Sequence, residues 1–184
     1  MHRSLVDQAQ HGDVEAFDAL ARVVGDRCMA IAYRILRDVD LADDAVQAAL
    51  ILAWRDLRQL RDLDRFEPWL HRILTRECYA EARRRRRWSA DLRVLPADHL
   101  VDAGDYLTIN HRDELDRAFR RLTLEQRAVL VYHHYLGLPV AEVAERVGVP
   151  VGTVKSRLHH AVAAMRASLD ADSRTPSHSE ERPA

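Results

Sequence analysis

The chain has 184 residues, of which 47% are hydrophobic, so it is long enough for one large or two small packed domains. Its formal net charge of −1 gives no global sign of a nucleic-acid partner, and no apolar run approaches the roughly 20 residues that span a bilayer. Because Asp7, Asp13 and Glu15 interrupt the N-terminal segment, we expect no signal peptide and a cytoplasmic protein. Few glycines and the absence of strand-like alternation predict an all-α fold.

Apolar spacing predicts four helices in the N-terminal part of the chain. The first is predicted to break at Gly25–Asp26, the second to span about 27–36 and the third about 41–60. A charged loop is predicted over 60–67, and Pro68 suits the first turn of a fourth helix. The predicted inner face of that helix consists of Leu70, Ile73, Leu74 and Cys78.

The predicted organisation is two small helical domains, an N-terminal bundle and a C-terminal helix-turn-helix, joined by a flexible linker. The first domain, residues 1–87, ends in an unbroken run of five arginines, Arg83–Arg87. Residues 88–109 lack sustained periodicity, which predicts an interdomain linker. The second domain is predicted over 110–169, and the polar residues 170–184 are predicted to form a frayed tail.

The most specific motif is a helix-turn-helix pattern over 137–165. Gly148 follows an apolar stripe and suits a left-handed helix end, and Val154 and Leu158 then anchor the next helix. Polar residues suited to phosphates and base edges lie on the outer face of that helix: Thr153, Lys155, Ser156, Arg157, His159 and His160. Thr123 and Gln126 have the spacing of a capping box for the preceding helix. The alternative is an ordinary helical hairpin with a solvated polar face.

Neither metal binding nor catalysis is indicated by the sequence. The pairs His133–His134 and His159–His160 point to different helix faces, and no Cys or acidic residue stands at zinc-ligand spacing. The chain has no glycine-rich phosphate loop and no nucleophile elbow. We therefore expect no enzymatic activity, no cofactor, no metal and no small-molecule substrate. Cys28 and Cys78 form no CxxC motif and are expected to be buried, reduced thiols.

Three segments in this order resemble the bacterial sigma factors of the extracytoplasmic-function (ECF) group. They are DLADDAVQAALILAWRDL at 40–57, FEPWLHRILTRECYAEARRRRR at 66–87 and the helix-turn-helix within 122–161. The helix-turn-helix alone also fits response-regulator output domains, and the acidic segment at 40–57 separates sigma factors from those. The resemblance implies an alternative sigma factor that binds core RNA polymerase and promoter DNA. It also implies inhibition by an anti-sigma protein that wedges between the domains.

The resemblance implies roles for three sets of residues. Docking on core polymerase falls to Asp43, Asp44, Gln47, Leu50, Trp54 and Arg55. Recognition and melting of the minus-ten element fall to Arg61, Arg65, Phe66, Trp69, Arg72, Arg76, Tyr79, Arg83 and Arg84, with Trp88 as a further candidate for holding unstacked bases. Recognition of the minus-thirty-five element falls to the polar outer face of the helix-turn-helix. Two alternatives remain open: the charged face at 43–55 is simply solvated, and Phe66 and Trp69 belong to the core.

Three positions depart from the family pattern. Arg76 stands where an asparagine is frequent, Ala80 where an aspartate is frequent, and His160 where an arginine is frequent. A neutral histidine near pH 7 weakens a phosphate contact that an arginine would hold. Two alternative functions stay open; the three departures favour only the second of them, and the absence of a clear dimerisation heptad argues against the first. One is a stand-alone helix-turn-helix regulator, and the other is a polymerase-binding module that has lost its DNA function.

Overall fold

The structure, a computed structural model, describes residues 3–91 and 109–173. Every regular element in these ranges is helical, which confirms the predicted fold class. We call 3–91 the N-terminal half and 109–173 the C-terminal half. The helices are α1 (Arg3–Gln10), α2 (Val14–Leu36), α3 (Val39–Asp56), α4 (Phe66–Asp91), α5 (Ile109–Arg120), α6 (Leu124–Leu130), α7 (Val140–Val147) and α8 (Val151–Ser173). None of them is long and apolar enough to cross a membrane.

The first chain break lies at Gly12, and the prediction of a break at Gly25–Asp26 is wrong. Gly12 has a φ of 98°, in the left-handed region that favours glycine, and Asp13 caps α2 by accepting a hydrogen bond from the Ala16 amide at 3.1 Å. An interior glycine costs only about 1 kcal/mol relative to alanine. The helix continues through it because one buried stripe runs unbroken past this point: Leu20, Val24, Cys28 and Ile31.

The α2–α3 corner is tighter than predicted, and α3 is shorter. Arg37 adopts a left-handed φ of 60° and donates its backbone N–H to the Tyr33 carbonyl, so only Asp38 separates it from α3. Asp38 caps α3 by accepting from the Leu41 amide at 3.0 Å. α3 ends at Asp56, not near 60, and a 3-10 turn (Leu57–Gln59) follows. A second 3-10 turn (Leu63–Arg65) interrupts the predicted charged loop.

α4 confirms the predicted inner face and extends beyond the predicted domain end. Leu70, Ile73, Leu74 and Cys78 are all buried. The helix continues through the whole arginine run to Asp91, three residues past the predicted start of the linker at 88. A helix already nucleated gains one hydrogen bond for each added residue. Similarly, α8 continues to Ser173, past the predicted tail boundary at 170. The remainder of the predicted linker and tail, 92–108 and 174–184, lies outside the described residues.

The C-terminal half begins with α5 and a confirmed capping box. Thr123 Oγ1 accepts from the Gln126 amide, and the Gln126 side chain accepts from the Thr123 amide at 2.9 Å. α6 then widens into a five-residue π-helix (Val131–Tyr135), which the apolar spacing did not predict. This turn buries Tyr132 completely.

The two halves pack directly against each other. Their buried apolar residues form one continuous cluster that extends from Val6 to Ala161. α4 lies against α7, and α2 lies against α6. The two free cysteines, Cys28 and Cys78, are buried in the N-terminal half, as predicted.

Candidate nucleic-acid interface

The helix-turn-helix geometry follows from two residues at its turn. Gly148 adopts a φ of 73° and ends α7 by donating its N–H to the Ala144 carbonyl at 2.9 Å. The chain then reverses and α8 begins at Val151. Val143 and Val154 are each fully buried, so the two helices are fixed together by their apolar faces. This arrangement leaves the opposite face of α8 available to a partner.

The outer face of α8 presents the polar residues predicted from the sequence. Lys155, Ser156, His159 and His160 are exposed, and Thr153 is half-buried at the first turn. Pairs at i and i+4 lie above each other on a helix, so these side chains form one polar strip. The strip offers donors that suit phosphates or base edges.

Arg157 lies apart from that strip. Its side chain is half-buried, and its Nη1 atom is buried without a hydrogen-bond partner. The charge of Arg157 acts on Tyr79 of α4, where burial raises the pKa of the phenol and the nearby guanidinium lowers it in part. Two residues predicted to read different promoter elements therefore lie close enough for the charge of one to act on the other across the two halves.

The predicted melting surface is only partly exposed. Arg61, Arg72 and Arg76 are exposed along the 3-10 region and α4. Arg65 is exposed as well, and it forms an ion pair with Glu145 of α7 at 2.7 Å. Arg83 and Arg84 are also exposed, and Arg84 pairs with Glu81 at 2.9 Å. The basic face of α4 is thus divided between solvent and contacts with nearby carboxylates.

The aromatic residues predicted for base capture differ widely in exposure. Phe66 is 3% exposed and belongs to the core, which supports the alternative interpretation of this residue. Trp69 is half-buried, with its ring centroid 6.1 Å from that of Phe66. The Tyr79 hydroxyl is buried without a hydrogen-bond partner. Trp88, at the end of the arginine run, is 68% exposed and is the aromatic residue of this group most accessible to a base.

α3 presents a mixed polar and apolar surface outside its buried stripe. Asp43, Asp44 and Gln47 are exposed, and Gln47 donates to Asp43 at 2.7 Å. The other predicted docking residues are the half-buried Leu50, Trp54, whose ring lies 4.9 Å from that of Phe17, and Arg55, which pairs with Asp56 at 2.8 Å.

Sequence reasoning missed Ile51 on this surface. Its side chain is 68% exposed, more than that of Trp54. Ile51 stands one residue after Leu50 and outside the buried stripe of α3. That position could have identified it as an exposed apolar side chain. A polar rim around exposed apolar side chains is typical of a protein-binding patch.

The residues that join the two halves were also missed as a functional set. Tyr132 donates its hydroxyl to the His71 carbonyl at 3.2 Å, and its oxygen lies 2.9 Å from Thr75 Oγ1. Burial, followed by the charges of Arg146 and Arg27, lowers the pKa of His71 to about 3, so the imidazole stays neutral. No sequence signal pairs residues that lie this far apart along the chain.

Charged residues reinforce the same junction at the other end of α4. Arg37 forms an ion pair with Asp116 of α5, and Arg127 of α6 donates to the Leu36 carbonyl at 3.4 Å. Burial, together with the positive charges of Arg37 and Arg86, lowers the pKa of Arg127 to about 10. Three like charges therefore meet here, and they are compensated in part by Asp116, which pairs with Arg37, and by Glu125, whose charge acts on Arg127.

Metal chemistry finds no support within residues 3–91 and 109–173, where no group of His, Cys, Asp or Glu side chains could hold an ion. His133 Nδ1 is instead 2.8 Å from the Leu138 carbonyl, and the rings of His159 and His160 lie 5.6 Å apart.

Two family models match the chain. The model of sigma-70 region 2 matches residues 20–88, and that of sigma-70 region 4 matches residues 112–165. The RNA polymerase sigma-H factor of Pseudomonas aeruginosa is 31% identical over 179 residues, which cover 91% of this chain and 93% of that protein. The ECF RNA polymerase sigma factor SigW of Bacillus subtilis is 25% identical over 92% of this chain and 97% of its own length.

A solved structure has the same fold. It is the sigma factor RpoE in complex with the anti-sigma factor NepR from Bartonella quintana, with a TM-score of 0.69 and 25% identity. The likeness covers 86% of this chain and 99% of that one.

Proposed function

The chain belongs to the ECF group of the sigma-70 family and is an alternative sigma factor that directs transcription initiation, and we propose that its two halves divide the work of finding and opening a promoter. The N-terminal half binds core RNA polymerase and acts on the minus-ten element. The C-terminal half reads the minus-thirty-five element. The observation that carries this proposal is the exposed polar strip of α8 on a chain that also matches sigma region 2.

The polymerase-binding role is assigned to the outer face of α3. Asp43, Asp44 and Gln47 supply a polar rim beside the exposed apolar surface of Ile51 and Trp54. Such a surface suits a partner helix, since apolar anchors supply most of the binding energy and charges at the rim fix orientation.

The minus-ten role is assigned to α4 and the turn before it. Arg61, Arg72, Arg76 and Arg83 offer positive charge to phosphates, and Trp88 offers a ring on which an unstacked base can lie. Each unstacked step costs a few kcal/mol, so several such contacts must act together. Phe66 supports the shape of this surface from inside the core.

The minus-thirty-five role is assigned to the α8 strip. Lys155 and Ser156 lie in the second turn of α8, where their side chains can donate to phosphates or base edges. His159 and His160 extend the strip by one turn. We assign all of these residues to DNA recognition and none of them to a covalent step.

An anti-sigma protein is proposed as the regulatory partner. The solved sigma factor RpoE forms a complex with the anti-sigma factor NepR. By analogy, such a protein acting on this chain would cover one or both promoter-reading surfaces.

The test uses Lys155→Ala in holoenzyme assembled with core polymerase. Removing one phosphate or base contact should weaken promoter binding about tenfold and reduce the slope of log K against log salt by about one. Arg166→Ala is the matched control, because Arg166 is also an exposed cation on α8 but lies almost two turns beyond the strip.

Equal losses in Lys155→Ala and Arg166→Ala would contradict the assignment of α8. Tight, polymerase-independent binding of the free chain to duplex DNA would instead favour a stand-alone regulator.

A further inference from the structure

The first helix, α1, lies before the segment 20–88 that the sigma-70 region 2 model matches. It has eight residues, and a helix this short is not stable on its own in water. Its buried side chains, Val6 and Ala9, join the core of the N-terminal half, and the helix packs on α2 and on both 3-10 turns between α3 and α4. We call those turns and the residues around them, 57–65, the α3–α4 connection. α1 is therefore ordered by its neighbours, and the connection is one of them.

The α3–α4 connection leads into the minus-ten surface proposed for α4. Leu57 and Leu60 are buried at its beginning, and Phe66 is buried where α4 starts. Arg61 lies between these anchors with its side chain exposed. Both turns of the connection are 3-10 turns, whose hydrogen bonds have a poorer geometry than those of an α-helix. Contacts from outside the connection therefore contribute to its order.

The side-chain amide of Gln10, the last residue of α1, spans the first turn of the connection. Its Nε2 atom donates to the Leu57 carbonyl at 3.0 Å and to the Leu60 carbonyl at 2.6 Å. A primary amide carries two N–H donors, so this one group serves both acceptors. Carbonyls at the end of a helix have no partner within that helix, and a side chain from a different helix supplies one here. The distance between the two carbonyls is thereby fixed from α1.

The second of these hydrogen bonds fixes the peptide group that leads to Arg61. The Leu60 carbonyl belongs to the same planar unit as the Arg61 N–H. Holding the carbonyl oxygen therefore sets the orientation of the plane from which Arg61 begins. The Leu60 side chain is only 9% exposed, so this residue is held on its backbone and on its side chain at once.

Two further contacts join α1 and its turn to the connection. Arg3 forms an ion pair with Asp64 at 2.7 Å, and their side chains are 67% and 65% exposed. An ion pair as exposed as this contributes little. The position that a Cβ on Gly12 would occupy lies 3.4 Å from the Arg58 guanidinium. The part-buried amide of Gln10 is therefore the contact that restrains the connection most.

We propose that α1 holds the α3–α4 connection in its DNA-reading conformation and that Gln10 is the positioning residue, because its hydrogen bonds to the Leu57 and Leu60 carbonyls preset the direction in which Arg61 meets the unpaired strand. This inference rests on the minus-ten role proposed above. A contact that is preset loses less conformational freedom on binding, so Gln10 raises both the affinity for the unpaired strand and the discrimination between bases. Gln10 itself touches neither DNA nor polymerase.

The first experiment compares Gln10→Glu with Gln8→Glu by hydrogen exchange in the full chain. The new carboxylate has nearly the shape of the amide but no donor at neutral pH, so both carbonyls lose their partner. Gln8 is exposed on the same helix, so Gln8→Glu makes the same charge change outside the contact. Peptides covering 57–65 should exchange about fivefold faster in Gln10→Glu and at the wild-type rate in Gln8→Glu. Peptides from the buried part of α4 should be unchanged in both variants.

Gln10→Met is a second variant for the same comparison. Its side chain has a similar length, no donor and no charge, so it removes the hydrogen bonds without placing a negative charge beside the carbonyls. It should accelerate exchange of 57–65 in the same direction as Gln10→Glu. This variant keeps the test decisive if the charge of Gln10→Glu loosens α1 as a whole.

The second experiment measures binding of the holoenzyme to promoter DNA with an unpaired minus-ten segment. Gln10→Glu should weaken binding about fivefold and reduce the affinity ratio between the preferred and the least preferred base about threefold. Assembly with core polymerase should be unchanged, and Gln8→Glu should match the wild type in every respect. A residue that only stabilised the fold would change polymerase assembly and would weaken binding to all bases alike.

A double-mutant cycle tests the route through Arg61. Arg61→Ala removes the side chain whose direction Gln10 sets. In the Arg61→Ala background, Gln10→Glu should therefore weaken strand binding by less than about twofold more. Fully additive losses would show that Gln10 does not act through Arg61.

Wild-type exchange of 57–65 in both Gln10→Glu and Gln10→Met would overturn the positioning role. Additive losses in the cycle would overturn it too, as would strand binding of Arg61→Ala that equals the wild type. If exchange rises as expected but the wild-type holoenzyme binds no unpaired minus-ten strand, the proposed function fails, and the role of Gln10 in DNA reading fails with it. A wild-type holoenzyme that binds the strand, together with a Gln10→Glu variant that binds it equally well, overturns the positioning role alone.

Discussion

The hydroxyl of Tyr132, in the π-helix of the C-terminal half, lies 2.9 Å from Thr75 Oγ1 on α4 of the N-terminal half. Both side chains are almost completely buried, and their oxygens also lie 3.2 and 2.8 Å from the His71 carbonyl oxygen, so the two hydroxyl hydrogens serve two of these three contacts at a time. Three groups from two halves thus share one small network. A network of this kind stabilises the junction only while all of its members are present.

The network predicts a measurable coupling between the two hydroxyls. Tyr132→Phe and Thr75→Val each remove one hydroxyl with little change in volume. In a double-mutant cycle by urea denaturation, each single change should lower the free energy of unfolding by about 1 kcal/mol, with a coupling of about 0.5–1.5 kcal/mol. Simple additivity of the two changes would show that the hydroxyls do not interact.

The buried His71 predicts a pH-dependent stability. Its pKa is lowered to about 3 by burial and by nearby arginines, whereas an unfolded chain has the ordinary value near 6.5. The unfolded state therefore binds the proton first as the pH falls below about 6.5. Stability from this group is fully present above that pH and decreases toward pH 3, by up to about 1.4 kcal/mol per pH unit.

Denaturation between pH 7 and pH 4.5 checks this dependence. In His71→Phe the slope should flatten, because no proton is then taken up at this position on unfolding. His134→Gln is the matched control, since His134 is exposed. A slope that is the same in His71→Phe as in the wild type would assign the dependence to other groups.

Two glycines predict opposite effects of the same substitution. Gly148 ends α7 with a φ of 73°, so Gly148→Ala should cost about 1–2 kcal/mol of stability. Gly25 lies inside α2 with nothing within 4 Å of an added Cβ, so Gly25→Ala should stabilise the chain by about 0.5–1 kcal/mol. Thermal unfolding of both variants provides the comparison. Destabilisation by Gly25→Ala would mean that α2 is interrupted at Gly25–Asp26, where the sequence predicted a break.

The exposed apolar surface of α3 predicts a loss of polymerase binding without a loss of fold. Ile51→Ser should weaken binding to core polymerase about tenfold, because an exposed aliphatic anchor on a docking face is replaced by a polar group. Val23→Ser is the matched control, since Val23 is 50% exposed on α2, outside the proposed surface. Equal binding by Ile51→Ser and the wild type would remove α3 from the polymerase interface.

Local signals in the sequence predicted much of the secondary structure. The capping box of Thr123 and Gln126, the left-handed Gly148 and the inner face of α4 each depend on residues a few positions apart. Gly25 misled the prediction because a glycine alone is a weaker signal than the buried stripe that continues past it. Gly12 and Asp13, a left-handed glycine beside a capping aspartate, carried the stronger signal.

The junction could not be predicted because its contacts join distant residues. Nothing near Tyr132 indicates that its hydroxyl meets Thr75. Arg157 and Tyr79 were both assigned to DNA from their local patterns, and only the packing of the halves places them together. Local sequence patterns identify what a side chain can bind, whereas tertiary packing decides which groups it contacts in the folded chain.

The measurement that tests sigma activity most directly is run-off transcription with core polymerase, this protein and a library of promoter fragments. The account predicts transcripts whose templates share two elements at a fixed spacing, with Lys155→Ala depleting the upstream element and Arg166→Ala leaving it unchanged. Binding to core polymerase with no promoter-dependent transcript from the library would contradict it.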